Sequence, residues 1–180
     1  MRAPVTGALA PALAAAALSS AAAGVGAPAI RAAEVNPTSA QITRAVHDAS
    51  RSHTLWATIN TCDPGHDHAV GVRGQMPALP FPSHLAMRVS LLEWSPTRHR
   101  YVRLAQNYRL GGGVFSGAAV VQDGVRLTWS GPATVRARIT FRWFRDGRLL
   151  GSTSRLTAAG HRDAHGTPPG TSLAACTIRP

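Results

Sequence analysis

TVRARITFRWF, residues Thr134 to Phe144, decides the fold class. On a pleated chain Val135, Ala137, Ile139, Phe141 and Trp143 point one way, and Arg136, Arg138, Thr140 and Arg142 point the other. A helix would scatter these arginines around its whole circumference. The alternation predicts a strand with one buried and one wet face. Asp146-Gly147 follows, the preferred chemistry of a tight hairpin turn, and Arg148-Leu149-Leu150 begins the return strand.

Working outward, Asp123-Gly124 signals a second hairpin, joining Gly117–Val121 to Val125–Trp129. In the second of these, Val125, Leu127 and Trp129 alternate with Arg126 and Thr128. Leu55–Cys62, Ala69–Gln75, Leu85–Leu92, Arg100–Ala105 and Leu173–Ile178 read as further strands, with Leu85, Met87, Val89 and Leu91 on one face. Short strands separated by Gly and Pro turns predict an all-β antiparallel sandwich of about 7–9 strands, each sheet hiding its apolar face against the other. A region of about 125 residues is ample for such a core.

The first forty residues are different in kind. They hold 16 of the chain's 32 Ala. Arg2, an apolar small-residue run and the sites Ala21-Ala22-Ala23 and Ala27-Pro28-Ala29 make a secretory signal peptide over 1–29, with cleavage as late as 33. The run is too weakly hydrophobic for an anchor, and no later segment is long and apolar enough to span a bilayer. Residues 30–52 read as a linker. Within it Thr38 or Ser39 caps one short helix carrying Ile42, Ala45, Val46 and Ala49 at helical spacing; a disordered spacer is the alternative. The domain then covers 53–180.

The two cysteines, Cys62 and Cys176, lie at the two ends of the β region. Export permits a bridge, and an even count leaves no orphan thiol. A staple fits better than a reactive Cys, which needs a paired His and an activating environment.

VRARITFRWFRDGRLLGSTSR resembles the paired central strands of an immunoglobulin-like or fibronectin-III-like module: an alternating strand, a Trp near its end, a DG turn and a return strand. With its AACTI ending, the chain also resembles small secreted bacterial proteins of uncharacterised function. The resemblance covers 53–180 and implies an immunoglobulin-like sandwich doing binding, spacing or structural work. It brings no catalytic residues, and it departs from antibody-type domains because the cysteines sit at the ends.

The net charge of +11 comes from 19 basic residues, all Arg, against 8 acids. The arginines are scattered singly rather than clustered in runs, so specific nucleic-acid binding is not expected. A solvated surface biased toward Arg is one reading. Attraction to an anionic cell-envelope polymer or surface is the other. Its carriers are the wet face of the central strand, Arg136, Arg138 and Arg142 at about 7 Å steps, with Arg126, and with Arg88 or Arg103 if their strands share that sheet. The same ladder also reads as an ordinary wet face whose charges discourage aggregation. Another extracellular protein is an alternative partner.

CDPGHDH places His66 and His68 beside Asp63, and HRDAH places His161 and His165 beside Asp163. On an extended segment His66 and His68 would face the same side. If the two loops approached each other, these six residues would be candidate ligands for zinc or copper; two polar exposed loops are the alternative. Hydrolase motifs are not met. Gly113-Val114-Phe115-Ser116-Gly117 has the wrong spacing for a nucleophile elbow. Gly111-Gly112-Gly113 lacks the Lys and helix of a phosphate-cradling loop. The expectation is a secreted, non-enzymatic sandwich without a cofactor, stapled by Cys62–Cys176, with an extracellular structural or interaction role.

Overall fold

The computed structural model describes residues 36–179; the leader and its cleavage sites lie outside them. One helix and nine strands follow in order: α1 (Ser39–Arg51), β1 (Trp56–Asp63), β2 (Ala69–Pro77), β3 (Ser83–Ser95), β4 (Arg100–Leu110), β5 (Val114–Phe115), β6 (Val120–Thr128), β7 (Ala133–Arg145), β8 (Arg148–Leu156) and β9 (Cys176–Ile178). They form a three-stranded sheet, β1-β2-β6, and a six-stranded sheet, β4-β3-β7-β8, with β5 on β3 and β9 on β7. All the strand pairings are antiparallel.

β7 is the strand read first, and its alternation is the axis of the core. Val135, Ala137, Ile139, Phe141 and Trp143 are fully buried, as are Leu85, Met87, Val89 and Leu91 on the neighbouring β3. Opposite them lie Ala57 and Ile59 of β1 and Val70, Val72 and Met76 of β2. At Gly74 of β2 a Cβ would come within 2.7 Å of Ile139 Cδ1, so the glycine gives the facing sheet its closest approach. The buried Trp143 indole donates to Pro77 O at 2.9 Å, which removes the cost of burying an unpaired N–H.

The linker holds a full helix. Thr38 and Gln41 form a reciprocal capping box at the start of α1, satisfying two N–H groups that the helix cannot. Ala45 and Ala49 are buried, and Val46 packs against Gly151 of β8. The short helix expected in this stretch is therefore present, and it packs on β8.

A second correction concerns Asp123-Gly124. It is no turn: β6 runs straight through it, with Asp123 opposite Gly74 and Gly124 opposite Arg73. The Asp123 carboxylate accepts from the backbone of Gly111 (2.6 Å) and Gly124 (2.7 Å). A Cβ at Gly124 would lie 2.7 Å from Val72 O. The pair carries turn chemistry, yet close backbone approach and loop anchoring explain it here. Asp146-Gly147 does make the expected turn, with both φ values positive (48° and 75°).

After β8 the chain crosses between sheets: Thr157 N donates to Ala137 O of β7, and Ala158 N to Ala57 O of β1. Residues 159–175 then run over the outer side of β1, where Ile59 and Leu173 form a bridge. Leu173 therefore pairs outside β9, which is shorter than the sequence suggests. The Cys62–Cys176 disulfide is present, with Cα atoms 5.5 Å apart. It ties β1 of the smaller sheet to β9 of the larger. No helix among the described residues is long and apolar enough to cross a membrane.

Candidate functional site

The wet face of the six-stranded sheet gathers arginines from three adjacent strands. The register sets Arg138 of β7 beside Ser90, Arg142 beside Ala86, Arg136 beside Leu92, and Arg88 of β3 beside Thr140. On the other side of β3, Arg109 of β4 lies opposite Arg88 and Arg103 opposite Leu92. Arg88 and Arg103 thus join the ladder on β7, as their strands' placement required. Arg126 does not: it belongs to the smaller sheet and pairs with Asp67 at 2.6 Å.

Two hollows run along this face and share Arg88 and Arg142. One, of about 430 Å³, is lined by Arg88, Arg103, Arg138, Arg142 and Tyr101. The other, of about 760 Å³, continues over Ala86, Phe144 and Val114 to Arg109, to Gly111 in the link between β4 and β5, and to Asp146 in the β7–β8 turn. Together they make a shallow groove with cationic walls and a partly apolar floor.

The arginines divide by what they already touch. Arg136 is committed to the fold: it donates to Ala174 O and Thr157 O and lies over the Tyr101 ring at 5.5 Å. Tyr101 packs edge-on against Trp94 at 5.3 Å. Arg103 donates to Asn107 Oδ1 at 2.7 Å, and Asn107 is held by Ser90. Among the described residues, Arg88, Arg109, Arg138 and Arg142 have neither an ion-pair nor a hydrogen-bond partner. The nearest acid lining the groove is Asp146, at its rim, within 3.7 Å of Arg145. Each free guanidinium keeps its planar fork of donors available for an oxyanion.

The histidine loops are built differently. Asp63 accepts the backbone N–H groups of Gly65, His66 and Asp67, which curls the loop instead of extending it. Those bonds, His66's first, lower the Asp63 pKa. His66 is raised above its usual value by its hydrogen bond to Asp67, at 2.9 Å. Asp63, His66 and Asp67 bring ligand atoms within 4.8 Å of one another. His68, His161, His165 and Asp163 belong to no such group among the described residues. His161 stacks on Trp56 at 4.9 Å, and burial there lowers its pKa. His165 faces a separate hollow beside Arg73 and Arg126. Asp163 contributes its backbone carbonyl to Gln122.

Sequence reasoning found the arginines of β7 and missed Arg109. The signal was present, since Arg103 and Arg109 both lie in one segment, but β4 was read as ending at Ala105. A bulge between Ser90 and Leu92 breaks its simple alternation.

Comparison with protein-family models matches nothing, and neither does comparison with curated proteins. Among solved structures, the chain is similar to the Pseudomonas fluorescens alkylpurine DNA glycosylase AlkC bound to DNA containing an abasic site analogue, at 13% identity and a TM-score of 0.32. The match covers 63% of this chain and 35% of that one, so the chain spans about a third of its length.

Proposed function

We propose that this is an exported, non-catalytic binding module that holds an anionic polymer along the outer face of its six-stranded sheet. The carrying observation is the row Arg88, Arg109, Arg138 and Arg142, on a groove where, among the described residues, these four are unpaired and the only lining acid is Asp146 at the rim. Along β7 and β3 a cation stands at successive steps of about 7 Å, two residues of strand rise. A flexible chain of phosphates or sulfates laid along the groove meets several of them at once. The Ala-rich leader and the disulfide support export, where anionic cell-envelope polymers are the available partners. The likeness to immunoglobulin-like modules, which implies binding work, fits the same reading.

The test is retention on heparin and on teichoic acid as a function of salt. Wild type elutes at a salt concentration that rises with polymer charge. Arg88→Gln, Arg138→Gln and Arg142→Gln together reduce affinity at least tenfold and lower the slope of log K against log salt by about 2–3, one for each lost contact. Arg136 is left intact because it holds the fold. Salt-insensitive binding, or no binding, refutes the proposal.

A further inference from the structure

The smaller sheet carries a hollow of its own, which shares no lining residue with the arginine groove. Gly71 and Gly124 line its floor, and neighbouring groups take the space that a side chain at either would need. A Cβ at Gly71 would already collide with Asn60 Oδ1 and Thr61 Oγ1, both 2.7 Å away, so those two groups lie directly over the glycine. The walls are Arg73 of β2, Arg126 of β6, and His165 and Thr167 of the segment bridged to β1. The volume is about 230 Å³, below the range of about 300–1,000 Å³ that suits drug-sized ligands.

The walls are fixed. Thr167 N donates to Asn60 O at 2.7 Å, and Asn60 Nδ2 donates to Ala164 O and His165 O, each at 3.4 Å. His165 is held at a positive φ of 47°. Arg126 gives one terminal nitrogen to Asp67, leaving the rest of its five N–H donors. Arg73 Nε is buried with no hydrogen-bond partner, a group that folding ordinarily satisfies. Among the described residues no carboxylate lines the hollow.

The geometry points to a site for a small phosphorylated sugar, independent of the polymer groove. Arg73 and Arg126 take the oxyanion. The Thr61 and Thr167 hydroxyls, the Asn60 Oδ1 and the His165 imidazole are the polar groups available to ring hydroxyls.

The test is an amide NMR titration of the folded protein at fixed ionic strength with glucose 6-phosphate, glucose and inorganic phosphate. Glucose 6-phosphate produces saturable shifts at Gly71, Gly124 and Thr167, and glucose produces none. Arg73→Gln weakens binding at least tenfold; should that variant not fold, Arg126→Gln, on an exposed side chain, serves the same purpose. The triple glutamine variant of the other sheet binds glucose 6-phosphate as wild type does, even if polymer retention is absent. Shifts that never saturate, equal affinity for glucose, or unchanged affinity in the folded glutamine variant overturn the site. Equal affinity for inorganic phosphate overturns its assignment to a sugar.

Discussion

His161 shows how one side chain links packing to pH. Its ring lies on Trp56 and is partly withdrawn from water, so the neutral form suits the folded protein and the pKa falls. The unfolded chain binds the proton at the ordinary value. The contribution is therefore complete above that value and is lost as pH falls through the lower folded one. Thermal midpoints measured between pH 7.5 and 5 should drop further in wild type than in His161→Phe. Parallel curves would exclude the effect. His66 has the opposite shift, but it is fully exposed and adds no comparable stability term. Residue-scale chemistry was legible where a side chain acts through its own neighbours. Asp146-Gly147 turned as expected. Asp123-Gly124 did not, because its carboxylate caps Gly111, twelve residues away in sequence. Nor did the CDPGHDH segment reveal that Asp63 would curl it through three backbone bonds.

Elements were legible through periodicity and obscured where periodicity breaks. β7 and β3 alternate cleanly, and their buried sets are the ones the sequence marks. α1 was visible as four apolar positions at helical spacing, but its packing on β8 depends on Gly151, a residue with no helical signal of its own. Val46 occupies the space that a side chain at 151 would take. Gly151→Ala should destabilise the protein by about 1–3 kcal/mol, the usual cost of overpacking, and should accelerate amide exchange across Ser39–Arg51. A change confined to β8 would mean that the helix does not rely on that contact. The ladder needed both periodicity and strand order. Alternation placed Arg138 and Arg142 on a wet face; only the β4-β3-β7 order brings Arg88, Arg103 and Arg109 to them.

At the scale of the whole molecule, the two sheets are joined by the Cys62–Cys176 bond, which closes a sequence separation of 114. In the loop-entropy picture a link of that span contributes roughly 4–5 kcal/mol. Replacing both cysteines with Ser should lower the denaturant midpoint accordingly, with little change in far-ultraviolet circular dichroism under native conditions. An unchanged midpoint would show that the sheets hold without the bridge. The pairing was readable from two cysteines at the ends of a β region. The crossing after β8 was not, because residues 159–175 pack through isolated hydrogen bonds rather than through any repeating pattern.

That same bond decides how the protein bears tension. If it is pulled by its two ends, force enters through α1 and β1, passes from one sulfur to the other, and leaves beyond Cys176. β2 through β8 hang outside the load path. Single-molecule stretching would thus extend only the segments before Cys62 and after Cys176, and most of the domain, including the arginine groove, would be shielded from mechanical strain until the bond is reduced.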